Sequence, residues 1–531
     1  MVGQFRLRGL LFSTYSPLLS TPLLFATAWR ARILLVLVFA LHFVLGAGMG
    51  LSVDEAHYLL YALHPALSYF DHPPLVGWVQ WPLVALDAPT AVLRLVPGLL
   101  WLATAWTVYQ LTVRLQASGE ADASRAGFWA VLALALAPLL HVLGIGLLPD
   151  TLRMFFTVAL MWQTHALMQP DAAQRTAPWL VLGLLLGLAG LSKYTAVFVA
   201  GAVGLCLLAV HGWRLLRNPG LWVAALVALV LVAPVAVWNA QHHWISFTYQ
   251  AKHGAGNAWQ LAHLGRFLLV QLLVFGPLLL WGGAGWLQTN RRNTRLLLLF
   301  FFVYFSVLAV LSGGGTSLPH WTAPAWVALA PFAGVGLAQA MRGRWRWLVG
   351  AVALLQALAC TVLLGLMLTA GQPVLPASAA AVASAPNPFA DLHGWDAAGQ
   401  RARALATQHQ LGSVSVQNWT LASRLGWYAR PLPVHVLEDR FDQFDLWAGD
   451  LPVGGSTLLV DWSHMAYAVP LGPHGFASCA LLDTQETVHL NAPIASFRFY
   501  ACRGWAGDPQ PQLQARPTLS ALPISPTLPM S

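Results

Sequence analysis

The chain has 531 residues, of which 57% are hydrophobic and only 9% are charged. An average soluble domain has about a quarter of its residues charged, so this composition excludes an ordinary soluble protein and indicates an integral membrane protein. The formal net charge of +9 would suit a nucleic-acid partner, but the basic residues form neither a long patch nor a recognition motif. They lie in small clusters between apolar runs, which predicts a role in membrane topology and no nucleic-acid binding.

Eleven apolar runs predict membrane-spanning helices, since such a helix needs about 20 apolar residues. The segment before them, 1–32, starts with basic residues but lacks a convincing cleavage site, and we expect it to stay uncleaved in the cytoplasm. A shorter run at 74–87, interrupted by Pro82, is expected to lie at the membrane interface. The predicted spans are 33–51, 90–113, 126–147, 151–168, 177–192, 195–211, 221–238, 264–287, 296–312, 321–340 and 347–370.

The positive-inside rule orients these spans. Arginines cluster in one alternate set of connections, which we place in the cytoplasm, and an odd number of spans then leaves the chain after about residue 371 outside. The other set of connections has few basic residues and faces outward. It comprises 52–89, 148–151, 192–195, 239–263 and 313–320.

The composition changes after the last predicted span. A stretch rich in Pro, Ala and Ser at 371–390 is typical of a linker, and 391–531 has the pattern of a small soluble α/β domain. The predicted fold is therefore an α-helical polytopic membrane domain, 33–370, followed by this outer domain. We expect its helices at 395–409 and 419–429, and its strands at 413–416 and within PVHVL, STLLVDW and ASFRFYACRGW.

Two cysteines, Cys479 and Cys502, lie in the expected outer domain. Such a pair often forms a disulfide in an oxidising compartment. Spacing alone does not supply the geometry, so both the bonded and the free state stay open at this point.

Ionisable residues recur at the outer ends of the predicted spans. Charge beside a span is costly and usually functional, and a convergence of separate segments on one face predicts a polar site there. In such a site a carboxylate can accept a proton from an attacking hydroxyl, while a cation can stabilise a departing phosphate. The residues concerned are Asp54, Glu55, Asp71, His72, Asp150, Arg153, Lys193 and His320.

Each of these residues also has a structural explanation when taken alone. Adjacent Asp54 and Glu55 would cap the helix that follows them, and Asp150 would do the same for the next apolar segment. Lys193 would reach the interface from a helix end. Anchoring or packing would account equally for Arg153, His72 and His320.

The local sequences DEAHY, YFDHPPL, PD before a span, LSKYT and LPHWTAP occur in this order. In this arrangement the chain resembles the bacterial branch of glycosyltransferase family 39, which is related to protein O-mannosyltransferases and to aminoarabinose transferases that modify lipid A. The resemblance covers nearly the whole chain, including NAQHHWISFTYQ in an outer loop and RFDQFDLW in the outer domain. It implies a GT-C fold transferase that uses a polyprenyl-phosphate sugar at the periplasmic face of the bacterial inner membrane.

The resemblance also implies roles for individual residues. Asp54 would be the general base for the acceptor hydroxyl in a single inverting displacement, and Lys193 is the first candidate to bind the donor phosphate. Asp150 matches the second acidic position of the family and would orient the acceptor, the sugar or a cation, and Glu55 is grouped with the two aspartates as catalytic. Further expected donor-phosphate residues are Arg153, His72, His320 and Tyr194, and further expected site residues are Asp71, His57 and Tyr58.

A divalent cation stays open, because many GT-C enzymes bind one. The candidate ligands are Asp71 with His242 or His243, which are too few to name a metal. Related aminoarabinose transferases have Glu-Lys where this chain has Asp71 and His72. The basic residue of the pair is therefore a histidine here, and its charge is expected to depend on pH. The expected partners are the polyprenyl-phosphate sugar donor, the bilayer, and an envelope lipid, glycan or protein that offers a hydroxyl or a phosphate.

Three other functions compete with this interpretation. A lipid or sugar transporter or flippase would place charges at mid-membrane depth and show paired repeats, and neither feature is visible. A non-catalytic, glycan-binding membrane scaffold could retain the same carboxylates. A transferase that uses diphosphate-linked glycans would call for more outer-loop arginines than Arg94, Arg153 and Arg266.

Overall fold

A computed structural model describes residues 22–116, 119–289, 291–315, 317–372 and 387–508. Most of the expected cytoplasmic N-terminal segment and most of the expected linker lie outside these residues. The described chain consists of a long helical region followed by a domain built on one β-sheet.

The helical region extends to residue 372 and contains long apolar helices joined by shorter ones. Short 3-10 helices occur at Gly212–Arg217, Gly283–Gln288 and Pro319–Thr322. The helices are α1 Pro22–Ala47, α2 Val53–Leu63, α3 Leu75–Trp78, α4 Trp81–Ala85, α5 Thr90–Leu93, α6 Leu95–Leu115, α7 Glu120–Ala135, α8 Pro138–Ile145, α9 Pro149–Leu167, α10 Pro170–Ala173, α11 Thr176–Ser192, α12 Ala196–His211, α13 Pro219–Gln241, α14 Ile245–Ala255, α15 Leu261–Phe275, α16 Pro277–Gly282, α17 Arg291–Ser312, α18 Ala323–Ala340 and α19 Arg346–Leu368.

The protein is a multi-pass membrane protein, although the described residues contain fewer complete spans than the eleven predicted. Six helical segments are long and apolar enough to cross a membrane, and the number rises to eight if each of two bent helix pairs is one span. The pairs are the predicted spans 126–147 and 264–287, which break at Pro138 and Pro277 and bend by 77° and 93°. The six segments are Ala28–Ala47, Thr90–Leu115, Ala196–Arg217, Pro219–Gln241, Pro319–Ala340 and Arg346–Leu368.

The expected interfacial helix at 74–87 is two short helices, α3 and α4. A glycine allows this part of the chain to approach α2, because a Cβ atom on Gly77 would lie 2.7 Å from the Cβ atom of Tyr61. The first loop, residues 52–89, is thus folded closely around α2.

The C-terminal domain has a five-stranded mixed sheet of order β2-β1-β3-β5-β4. β1 is parallel to β2 and β3, whereas β5 is antiparallel to β3 and β4. The expected helices and strands are present within a few residues, but β4 was not predicted. The elements are α20 Trp395–Gln408, α21 Trp419–Tyr428, α22 Gln443–Trp447, β1 Val414–Val416, β2 Val434–Val436, β3 Ser456–Trp462, β4 Phe476–His489 and β5 Ala492–Trp505.

The two cysteines of this domain are bonded to each other. Cys479 on β4 and Cys502 on β5 face each other in the antiparallel register and form a disulfide. The bond therefore joins the edge strand β4 to its neighbour.

The C-terminal domain packs directly on this first loop. Leu59 and Leu60 of α2 belong to the same hydrophobic cluster as Trp395 and Leu421 of the domain. Hydrogen bonds add to this contact, since the Leu51 N–H donates to the Tyr428 hydroxyl at 2.9 Å. Helix α2 is consequently held between the helical region and the domain.

Candidate active site

A cavity lies where several connections of the helical region meet the C-terminal domain. Its wall is formed by α2, the loop after it, the start of α9, the junction of α11 with α12, α14 and the turn before α18. Many of the residues selected from the sequence line it together, although they come from distant parts of the chain. They are Asp54, His57, Tyr58, Asp71, His72, Asp150, Lys193 and His320.

Asp54 projects from the first turn of α2 into this cavity. The helix starts after Ser52, whose side chain is the N-cap. Among the described residues we find no hydrogen bond or ion pair to the Asp54 carboxylate. Burial raises the pKa of Asp54 to about 6, and the nearby His57 opposes this shift. At neutral pH Asp54 is therefore mainly an unpaired carboxylate that is able to accept a proton.

Glu55, the next residue, is held outside the cavity, which corrects its expected catalytic role. Its two carboxylate oxygens accept hydrogen bonds from the Arg94 guanidinium at 2.7 and 2.8 Å. It also completes a capping box with Ser52, so the helix-capping explanation is the correct one for this residue. Arg94 in turn donates to the carbonyl oxygen of Met49 at 2.7 Å, and the buried pair thereby fixes the start of α2.

A buried ion pair forms one side of the cavity. The Lys193 ammonium lies 2.6 Å from Oδ2 of Asp150, and His320 Nε2 lies 3.6 Å from the same oxygen. Asp150 is in the first turn of α9, and Lys193 is the C-cap of α11, a helix end that favours positive charge. Lys193 also lies over the ring of Trp321, 5.3 Å from its centroid. This corner carries the cation that a departing phosphate requires.

Two of the expected donor-phosphate residues lie behind the wall of the cavity. Arg153 is fully buried and donates to the Thr195 hydroxyl at 2.8 Å, with its guanidinium over the Tyr304 ring. Tyr194 packs on Phe247 with ring centroids 5.2 Å apart. Neither side chain lines the cavity, so the structure does not support direct phosphate contacts from them.

Asp71 and His72 enter the cavity from the loop after α2. Burial alone would raise the pKa of Asp71, but attraction to His57 and hydrogen bonds from His57 and Tyr61 outweigh it and lower this pKa. Burial and the charge of Lys193 lower the pKa of His72 to about 4. Since His72 is then neutral at physiological pH, the expected pH-sensitive basic partner is not found at this position.

The C-terminal domain supplies a wall that was not predicted from the sequence. The Gln443 side-chain oxygen accepts the Phe70 N–H at 2.8 Å, which ties the domain to the first loop at the edge of the cavity. The only sequence signal for this wall is the RFDQFDLW segment, which is part of the resemblance to glycosyltransferase family 39 but carries no predicted role. The lining residues from this domain are Trp419, Arg440, Asp442 and Gln443.

The expected metal ligands do not form a site. Within the described chain no group of three or more His, Cys, Asp or Glu side chains is arranged to hold a metal ion. Asp71 lines the cavity but His242 and His243 do not, and the His242 ring stacks on Trp238 with its Nδ1 at 2.8 Å from the Trp238 carbonyl oxygen. These donors do not fit a bound cation.

Comparison of the sequence with known proteins finds relatives among glycosyltransferases. The sequence model of the dolichyl-phosphate-mannose-protein mannosyltransferase family matches residues 71–238. The lipid A galacturonosyltransferase RgtD of Rhizobium johnstonii is 26% identical over 257 residues, covering 47% of this chain and 52% of that protein. The lipopolysaccharide core galacturonosyltransferase RgtA of the same organism is 28% identical over 217 residues, covering 40% and 42%. The chain thus spans about half the length of the curated relatives it matches.

The fold itself has a counterpart among solved structures. The crystal structure of ArnT from Cupriavidus metallidurans bound to undecaprenyl phosphate superposes with a TM-score of 0.59 at 16% identity, covering 90% of this chain and 98% of that chain. The molecule is therefore a multi-pass membrane protein with the GT-C fold. The resemblance to glycosyltransferase family 39 predicted from the sequence is confirmed.

Proposed function

We propose that the protein is a membrane glycosyltransferase that moves a sugar from a polyprenyl-phosphate donor to a hydroxyl or phosphate of an envelope lipid. The observation that carries this proposal is the presence of an unpaired carboxylate, Asp54, and a buried ammonium, Lys193, in one cavity. A displacement at a sugar carbon needs both groups, one for the incoming hydroxyl and one for the departing phosphate.

In the proposed reaction Asp54 takes the proton of the acceptor hydroxyl. The acceptor oxygen forms a bond to the anomeric carbon while the bond from that carbon to the phosphate oxygen breaks. The lipid phosphate leaves with the bonding electrons, and the anomeric configuration inverts because attack and departure occur on opposite faces.

Lys193 is suited to stabilise the leaving phosphate. An ammonium has three N–H donors, and Asp150 occupies one of them at 2.6 Å. The ion pair holds the cation in place and leaves donors for phosphate oxygens, which a compact point charge binds well. His320, 3.6 Å from the same carboxylate oxygen, extends this polar corner.

The similar proteins support a narrower substrate class. The two curated relatives are named for galacturonic acid transfer to lipid A and to the lipopolysaccharide core, and the ArnT structure holds undecaprenyl phosphate. We therefore favour an undecaprenyl-phosphate galacturonic acid donor and lipid A or core acceptors. The corresponding location is the bacterial inner membrane, with the catalytic domain at 33–370, the linker at 371–390 and the domain 391–531 in the periplasm.

The test is transfer in membranes that carry wild-type protein or the variant Asp54→Asn, read by mass spectrometry of lipid A and core oligosaccharide. We expect the wild type to add one sugar increment and the variant to lose about 100-fold to 10,000-fold of the rate, the usual contribution of a general base. Asp87→Asn is the matched control, because Asp87 is an exposed carboxylate of the same loop outside the cavity. Near-normal transfer by Asp54→Asn would show that another group is the base.

A further inference from the structure

The C-terminal wall of the cavity contains a carboxylate that the proposed reaction does not use. Asp442 is only 4% exposed. One of its oxygens caps α22 by accepting the Phe444 N–H at 2.7 Å. The other, Oδ2, is buried and has no hydrogen-bond partner in the described residues, although Asp442 lines the cavity.

Helix capping does not explain this second oxygen. Asn caps a helix as well as Asp does, and a buried acceptor without a partner is costly. A ligand in the cavity that donates a hydrogen bond would satisfy this oxygen.

Two neighbouring side chains of the same domain complete a surface with Asp442. Trp419 begins α21, where the Asn418 side chain accepts the N–H of Thr420, and its indole lies 5.5 Å from the His57 ring. The carbonyl oxygen of the Gln443 side chain accepts from the first loop, so its amide nitrogen is the remaining donor group.

An indole, a carboxylate and an amide together suit one class of ligand, a pyranose ring. Sugar hydroxyls donate strong hydrogen bonds to a carboxylate and accept from an amide, and the C–H groups on one face of the ring pack on an aromatic surface, whose face is electron-rich. Apolar surface combined with few convergent polar groups is typical of small-ligand sites.

The position of this surface favours the acceptor over the donor. Asp54 is near enough to both Lys193 and His57 for each to affect it electrostatically, and His57 lies against Trp419. Lys193 lines the cavity from the helical region and Trp419 lines it from the C-terminal domain, and Asp54 of α2 lines it with both. In an inverting displacement the acceptor approaches from the side opposite the departing phosphate, which is the side of this wall.

We propose that Trp419, Asp442 and Gln443 bind a sugar ring of the acceptor and present one of its hydroxyls to the general base. This inference rests on the proposed function and makes the C-terminal domain the part of the protein that selects the acceptor.

The experiment measures two quantities on the purified full-length protein, the affinity for lipid A without donor, and the KM values for lipid A and for undecaprenyl-phosphate galacturonic acid. Asp442→Asn keeps the helix cap and removes the second carboxylate oxygen. We expect it to weaken lipid A binding and raise the lipid A KM about tenfold or more, as the loss of a hydrogen bond to a charged group does. The donor KM should not change, and Trp419→Ala should act in the same direction.

Asp439→Asn is the matched control, because Asp439 is an exposed carboxylate of the same segment that does not line the cavity. Wild-type affinity for lipid A in both Asp442→Asn and Trp419→Ala would overturn the inference, and so would a change in the donor KM alone. If Asp442→Asn does not fold, Trp419→Ala decides. Failure of the proposed function would appear separately, as lipid A binding by the wild type without sugar transfer.

Discussion

Asp54 and Glu55 are adjacent carboxylates with different surroundings. Successive residues of a helix point about 100° apart, so one side chain of the pair faces the cavity while the other faces Arg94. The first has no partner among the residues that the structure describes, and the second accepts two hydrogen bonds from the guanidinium. The same kind of side chain therefore serves as a candidate base at one position and as a helix anchor at the next.

The pKa of Asp54 gives a prediction for the dependence of the rate on pH. Burial raises this pKa to about 6, and a general base acts only when it is deprotonated. We expect kcat/KM to be constant above about pH 7 and to fall roughly tenfold for each pH unit below about 6. The measurement is a pH profile of galacturonic acid transfer to lipid A between pH 4.5 and 8.5.

The pKa of His72, about 4, lies below the range where this fall is expected, but burial raises the pKa of Asp442 to about 7. The profile is therefore measured on Asp442→Asn as well as on the wild type, and the variant should show a single acidic limb near pH 6. Unfolding at low pH is checked by returning each sample to pH 7.5 and measuring the recovered rate. A profile that stays flat from pH 5 to pH 8 would contradict the assignment of the base.

At the scale of secondary-structure elements, α2 depends on a buried ion pair for its position. Removing one partner of such a pair leaves the other charge uncompensated, which typically costs about 3–5 kcal/mol. We expect Glu55→Gln to lower the thermal unfolding temperature in detergent and to lower transfer as well, because Asp54 would lose its fixed position. Glu120→Gln is the control, since Glu120 is exposed at the start of α7. An unchanged unfolding temperature in Glu55→Gln would show that the pair does not stabilise the fold.

Elements with a strong apolar pattern were predictable from the sequence. STLLVDW was expected to be a strand and is β3, with six of its seven residues buried. The unpredicted strand β4 is an edge strand whose residues are mostly exposed or half-buried, so it lacks the alternation that marks a strand. The bends in two spans were also missed. The apolar run continues through Pro138 and Pro277, so its length alone predicts one unbroken helix in each case.

The candidate active site was predictable only in part. Charge beside predicted spans selected Asp54, Asp150 and Lys193, and all three line the cavity. The sequence did not distinguish them from Glu55 and Arg153, whose side chains turn away toward partners far along the chain. The residues from the C-terminal domain were missed because their place in the cavity is set by packing between domains.

At the scale of the whole molecule, the cavity depends on the docking of the C-terminal domain on α2. Gly426 of α21 makes this contact close, because a Cβ atom there would lie 3.0 Å from Cδ1 of Leu60. Adding a large side chain to such a packed surface typically costs about 1–3 kcal/mol. We expect Gly426→Leu to displace the domain and to lower transfer about tenfold or more.

The control is Gly412→Leu in the same domain, because Gly412 is exposed and a Cβ atom there would meet nothing within 4 Å. Both variants are compared for transfer in membranes and for chemical labelling of a cysteine introduced at Ser423, a buried residue of α21 that lies against His57 of α2 and that a displaced domain would uncover. Wild-type transfer in Gly426→Leu together with unchanged labelling would show that this contact is dispensable.

The contact between Phe70 and Gln443 joins residues 373 positions apart, and this separation has a consequence for biosynthesis. The first loop leaves the ribosome long before the segment that closes the cavity around it. In the proposed topology that later segment must also cross the membrane before it can dock. A partly made chain, or one whose last domain stays in the cytoplasm, would therefore lack a complete cavity, and the proposed sugar transfer would begin only after export of that domain.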